Sequence, residues 1–123
     1  MPTDRSRLAA FRFAWQGVRN TFRRQPNFRI QAGAGLVAIG AALAFRFDAL
    51  RWALILATVL LVLAFELVNT SIEALVDALH PDLHPAAKTS KDAAAGAVLV
   101  VALLAVAVGA CLFGPPLLDL LRR

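Results

Sequence analysis

The chain has 123 residues, 59% of them hydrophobic, and a mean hydropathy of +0.67. That is too apolar for an ordinary soluble domain of this size. The formal net charge of +5 is therefore not read as a nucleic-acid signature, and nucleic acid is excluded as a partner.

Residues 7–24 form the first expected element, a basic amphipathic surface helix. Leu8, Phe11, Trp15, Val18 and Phe22 recur every three or four residues, and Arg12, Arg19, Arg23 and Arg24 occupy much of the rest. Such a helix with aromatic anchors suits a membrane interface, although packing on a protein core would give a similar pattern. Gln25-Pro26-Asn27 breaks the pattern and marks a turn or kink.

Three apolar runs follow, at about residues 30–45, 52–65 and 93–113. A membrane span needs about 20 mostly apolar residues. The third run meets this alone, without a charge. The first two reach span length if their helices continue into the flanks, over about 28–47 and 49–79. A soluble three-helix bundle is the alternative, and the uninterrupted third run argues against it. The connection around Asp48 is very short, so the first two spans form an antiparallel hairpin, with Asp48 able to cap the second. The helix over 49–79 would be about 45 Å long, against a hydrocarbon thickness of about 30 Å, so its last third should protrude. His80-Pro81 and Pro85 break it, Thr89 or Ser90 can cap a last helix over 90–113, and Gly114-Pro115-Pro116 ends that helix.

The basic residues give an orientation. Seven arginines (Arg5, Arg7, Arg12, Arg19, Arg23, Arg24 and Arg29) precede the first run, and Lys88 and Lys91 lie before the third. Arg46, Arg51, Arg122 and Arg123 fall on the other side, so nine basic residues stand against four. The N-terminus and the second connection are thus expected in the cytoplasm, with the chain crossing the inner (cytoplasmic) membrane three times. Small residues in the spans, among them Gly33, Gly35, Gly40, Ala94, Gly96 and Gly109, would allow close approach of helices and self-association. Cys111 lies within the third run and reads as a packing residue.

The expected protruding third carries the chemistry. Glu66, Asn69, Glu73 and Asp77 are spaced by three, four and four residues. At about 100° per residue they form one stripe on one helix face. Carboxylates at the edge of a bilayer are costly and point to function. The connection returns His84, Lys88, Lys91 and Asp92 to the same membrane surface. Carboxylates suit a hard cation such as Mg²⁺, and lysine suits phosphate. The residues alone leave two readings open: a phosphoryl-transfer site, and an ion or proton pathway. Among individual side chains, Asn69 could instead bond between helices, Asp77 could pair with a basic residue, His84 could face solvent, and Lys88 could pair with Asp92 at i,i+4.

The pattern Glu66-x-x-Asn69-Thr70-x-x-Glu73-x-x-x-Asp77, followed by His84, Lys88 and Lys91-Asp92-x-Ala94-Ala95-Gly96-Ala97-Val98-Leu99, closely resembles the small integral-membrane prokaryotic diacylglycerol kinase family, which includes undecaprenol kinases. The resemblance extends upstream to Ala14-x-x-Gly17 and Asn27-Phe28-Arg29-Ile30, and covers about residues 8–113. It implies an all-α homotrimer of three-span subunits, each with an N-terminal amphipathic helix. It also implies transfer of the ATP γ-phosphate, with Mg²⁺, to the hydroxyl of a membrane lipid at the cytoplasmic interface.

Carried over by resemblance, Glu66 is the general base and Asn69 orients the site. Glu73 holds the metal, and Lys91 and Asp92 hold nucleotide with Asp82, Leu83 and His84 beside it. Trp15 and Arg19 join Glu66 as substrate-contacting residues. The chain departs from the family at Gln25, where a glutamate usually helps Glu73 hold metal. A second departure is Phe13, where some relatives have a nucleotide-contacting tyrosine. The form of the loop, His80-Pro81-Asp82-Leu83-His84, looks more like the undecaprenol-kinase branch, with diacylglycerol the other acceptor. Gln25 keeps a non-catalytic reading open: a nucleotide or lipid binder, or an ion-conducting oligomer.

Overall fold

Breaks at Gln25, at residues 45–48 and around residues 80–82 and 84 divide the described residues into four helices: α1 (Arg7–Arg24), α2 (Pro26–Ala44), α3 (Ala49–Leu79) and α4 (Pro85–Leu121). The computed structural model describes residues 6–82 and 84–123, and these contain no strand. α2, α3 and α4 are each long and apolar enough to cross a membrane.

The α1–α2 corner is held by its own sequence. Gln25 is extended (φ −106°, ψ 108°), and Pro26 occupies the first turn of α2, where a missing N–H costs no bond. Helix α2 thus starts at Pro26, ahead of the expected residue 28. The last carbonyls of α1 would lack donors. The Arg29 guanidinium supplies them, with Nη1 donating to Phe22 O at 3.1 Å and Arg23 O at 2.8 Å. Phe22 and Phe28 pack edge to face across the corner, and Phe28 is buried.

The α2–α3 hairpin turns within four residues. Arg46 adopts a left-handed conformation (φ 53°), and the Phe47 N–H bonds back to Ala42 O at 3.1 Å. This is the usual way to end a helix, with arginine in a position that glycine occupies at lower cost. Asp48 then caps α3, its Oδ1 accepting from the Arg51 N–H at 3.0 Å. Beneath the turn Ala42, Phe47 and Ile55 form a buried cluster against Trp52, Val59 and Phe113. Phe47 and Phe113 stack at 5.1 Å, which ties α4 to this end of the bundle. Higher up, a Cβ on Gly35 would lie 2.7 Å from Val59 Cγ1, so α2 and α3 approach closely because this residue is glycine.

Helix α4 corrects the expectation of 90–113 at both ends. It starts at Pro85, again a first-turn proline, and His84 rather than Thr89 or Ser90 caps it, with Nδ1 accepting from the Ala86 N–H at 3.1 Å. The Thr89 hydroxyl instead donates back to Pro85 O within the helix. At the far end Pro115 and Pro116 lie inside the helix. They remove two donors, but their fixed φ is helical, and the chain continues until the Arg122 N–H closes on Leu118 O.

α3 packs most extensively on α4 and then on α2, while α1 touches both α2 and α3. Few side chains are buried, and large apolar residues such as Leu36, Leu60, Leu103 and Val106 remain exposed. For a soluble protein this surface would be untenable, and in lipid it is the expected exterior. The chain is a multi-pass membrane protein with one end of its bundle polar and charged, formed by the start of α2, the end of α3 and the start of α4.

Candidate active site

Against the mostly exposed surface, two polar side chains of α3 are buried: Glu66 is 3% exposed and Asn69 is 9% exposed. Both lie toward the polar end of the bundle. The Glu66 carboxylate accepts a hydrogen bond from Gln31 Nε2 of α2 at 3.2 Å. One turn on, Asn69 Nδ2 donates a long bond to Glu73 Oε1 at 3.4 Å. Asn69 thus bonds along its own helix, and its Oδ1 is buried without a partner.

Glu73 and Gln25 share one cavity of about 280 Å³, lined also by Asn20, Thr21, Arg24, Thr70, Ala74 and Asp77. The α1–α2 corner delivers Gln25 to it, and the stripe on α3 delivers Glu73 and Asp77. Among the described residues no group of three or more His, Cys, Asp or Glu gathers as a self-sufficient metal cage. The donor set, two carboxylates and an amide oxygen lining one cavity, still fits Mg²⁺. This ion takes oxygen ligands, keeps several waters, and needs only one or two protein carboxylates when phosphates complete its shell.

A second cavity, of about 320 Å³, lies at the α3–α4 corner between Asp77, His80, Asp82, His84, Lys88, Lys91 and Asp92. Lys91 Nζ donates to Asp77 Oδ1 at 2.8 Å, and Lys88 pairs with Asp92 one turn away on α4. His84 uses Nδ1 to cap α4, and its ring lies 5.4 Å from that of His80. Asp77 lines both cavities and so joins them. Acidic residues and two cations around adjoining cavities can hold a metal-bound polyphosphate.

The structure therefore brings together Gln25 and Glu73, and separately Asp82, His84, Lys91 and Asp92. Leu83 lies outside the described residues. Phe13, Trp15 and Arg19 are exposed on α1, and none of them lines either cavity. Instead Ala14, Gly17 and Thr21 turn toward Thr70 and Ser71 of α3. Sequence reasoning did not name Gln31. Its signal was present: an amide in an apolar run must find a hydrogen-bond partner.

A family model described as prokaryotic diacylglycerol kinase matches residues 12–113. The chain is 45% identical to a diacylglycerol kinase of Synechocystis sp. over 93% of its own length, and spans 66% of that protein. It is 34% identical to an undecaprenol kinase of Bacillus subtilis over 88% of each chain. It is 31% identical to a diacylglycerol kinase of Escherichia coli over 80% of this chain and 81% of the other. With three membrane-length helices, a buried carboxylate toward their polar end, and this match over most of its length, the chain belongs to the prokaryotic diacylglycerol kinase family of membrane lipid kinases.

Proposed function

We propose that the protein transfers the γ-phosphate of ATP to the hydroxyl of a membrane lipid alcohol, with Glu66 as the general base. The observation that carries this is the burial of Glu66 at the junction of the apolar spans and the polar cavities. A lipid hydroxyl arriving from the bilayer and a phosphate arriving from water meet only at such a junction. The acceptor hydroxyl loses its proton to the Glu66 carboxylate as its oxygen attacks the γ-phosphorus. The bond from that phosphorus to the β–γ bridging oxygen breaks, and ADP leaves.

The remaining residues position the reactants. Lys91, with Asp82 and His84 around the same cavity, holds the nucleotide phosphates, and Asp92 turns Lys88 toward that cavity. Glu73 and Gln25 hold Mg²⁺, with Asp77 between the two cavities. When bound, the ion offsets the charge that builds up on the phosphates. Glu73 and Glu66 are seven residues apart, about 10 Å along the helix axis, so the polyphosphate lies along the stripe with its γ end toward Glu66. Asn69, between them, bonds Glu73 and directs its free Oδ1 into the protein. Phe13 on α1 would face the base of the nucleotide from a neighbouring subunit, and Trp15 and Arg19 the lipid interface.

The family implies a homotrimer in the inner membrane, and small residues such as Gly33, Gly40 and Gly109 on α2 and α4 would allow subunits to approach closely. The excess of arginine before α2, with Lys88 and Lys91 at the α3–α4 corner, supports a cytoplasmic N-terminus and active site. The acceptor is undecaprenol or diacylglycerol, and the relatives' names include both.

The test is a phosphorylation assay on purified protein in mixed micelles, with Mg-ATP and each alcohol offered separately. Phosphorylation of either alcohol, lost on removing Mg²⁺, is the expected result. Failure to phosphorylate any lipid alcohol would sink the kinase reading and favour a non-catalytic binder.

A further inference from the structure

We propose that Gln31 is a positioning residue for Glu66, its amide holding the carboxylate in the orientation that receives the lipid proton. The assignment rests on the kinase reading above. Gln31 lies in the second turn of α2, inside the first membrane-length helix. Its Nε2 reaches Glu66 Oε2 at 3.2 Å across the α2–α3 contact, from 35 residues away in sequence. This is the one hydrogen bond that the Glu66 side chain makes among the described residues.

The chemistry of the pair is asymmetric. The amide donates to one carboxylate oxygen and leaves the other, Oε1, available to a hydroxyl. Glutamate has three rotatable side-chain bonds, and a buried carboxylate with a single tether depends on that tether for its direction. Among the described residues the Gln31 side chain makes no other hydrogen bond, and its own Oε1 is buried without a partner. An amide serving only helix packing would satisfy both ends, or an apolar residue would take its place. Gln31 also lines the apolar cavity of about 290 Å³ between α2, α3 and α4, which runs past Gly35, Val59 and Ala105 to Phe113. It thus stands where that apolar space meets the buried carboxylate.

Three variants test this, each compared with the wild type for kcat, for ATP KM and for thermal midpoint in detergent. Gln31→Leu keeps the volume and removes the donor. It should lower kcat by about 10- to 100-fold, the scale of a misaligned catalytic group, with ATP KM unchanged. Gln31→His keeps an N–H donor and should retain most of the rate. The third is the double variant Gln31→Leu/Glu66→Gln. With the base already absent, Gln31→Leu should cost no further rate, since the two residues act as a unit.

An equal loss from Gln31→Leu in both backgrounds, or a loss that follows the thermal midpoint, would mean a structural role and overturn the assignment. So would an active Gln31→Leu with wild-type kcat. Should Gln31→Leu fail to fold, a Gln31→His protein that folds but turns over as slowly as Glu66→Gln would overturn it as well. A wild type that phosphorylates no lipid alcohol overturns the kinase reading itself, a result distinguishable from all of these.

Discussion

Lys91 Nζ of α4 donates to Asp77 Oδ1 of α3 at 2.8 Å, so the cation proposed to receive phosphate is already held by a carboxylate across the helix corner. Both side chains are substantially exposed, and such a pair contributes little to stability. Its value is in placement: a long, flexible lysine is kept at the mouth of the cavity shared with Asp82 and Asp92. Lys91→Met should raise ATP KM by about 10- to 100-fold, the scale of one charge-assisted hydrogen bond. Asp77→Asn should move the thermal midpoint by no more than a few degrees. Steady-state kinetics and thermal denaturation in detergent separate the two effects. An unchanged ATP KM in Lys91→Met would remove this lysine from the nucleotide site.

For Glu66 the expected result follows from its place in the reaction. Glu66→Gln keeps the size of the side chain and can still accept a hydrogen bond from Gln31. It cannot take a proton. Turnover should fall by about 10²-fold or more, the usual scale for a general base, while nucleotide binding persists. Equilibrium binding of a non-hydrolysable ATP analogue, beside the turnover assay, measures both. If Glu66→Gln turns over normally, the base lies elsewhere on the stripe, and Asp77 is the next carboxylate to vary.

Much of this site could be read from spacing once the turns were placed. The hairpin turns at residues 45–48; Gln31 lies 14 residues before it and Glu66 18 after it, the same four-residue offset as Ala42 and Ile55 at three and seven. Asp77 and Lys91 are each seven residues from His84. Antiparallel helices pair residues in this way, so the partners follow from turn position and helical rise. The ends of α4 did not follow, because each signal had two physical outcomes. A proline can stop a helix or open one, and Pro85 opens one because His84 supplies the cap. Pro115-Pro116 read as a stop, yet both residues hold a helical φ and the helix goes on to Leu121. The exposed face of α1, with Phe13, Trp15 and Arg19, illustrates a different limit. Those side chains line neither polar cavity, and the spacing on α1 gives no partner for them, whereas Gln25 and Glu73 converge on one cavity.

The close approach of α2 and α3 at Gly35 gives a prediction about stability. Any side chain there brings a Cβ to 2.7 Å from Val59 Cγ1, and valine is too stiff to move aside without shifting its helix. Gly35→Ala should destabilise the protein by about 1–3 kcal/mol, the range for overpacking a fitted contact. Val59→Ala opens the space that the new methyl needs, so Gly35→Ala/Val59→Ala should recover part of the loss. Reversible unfolding in detergent is the measurement. Additive losses in the double variant would show that the two residues do not meet.

Gln25 offers the sharpest test of the metal site. It stands at the α1–α2 corner, lines the same cavity as Glu73 and Asp77, and makes no side-chain cap to α2. An amide oxygen can ligate Mg²⁺ but brings no charge, so Glu73 carries more of the protein's contribution than it would beside a second carboxylate. Gln25→Glu should therefore lower the Mg²⁺ concentration needed for half-maximal rate at fixed ATP. The same change should restore Glu73→Gln only in part. Residues 25 and 73 come from different helices and reach the ion from different directions, so one cannot take the other's coordination position. A Mg²⁺ titration of the kinase rate, run on the wild type, Gln25→Glu, Glu73→Gln and Gln25→Glu/Glu73→Gln, distinguishes these cases. If Gln25→Glu leaves the Mg²⁺ requirement unchanged or weakens binding, Gln25 does not face the metal. The cavity it shares with Glu73 would then serve the polyphosphate alone, with Arg24 as the corner's contribution.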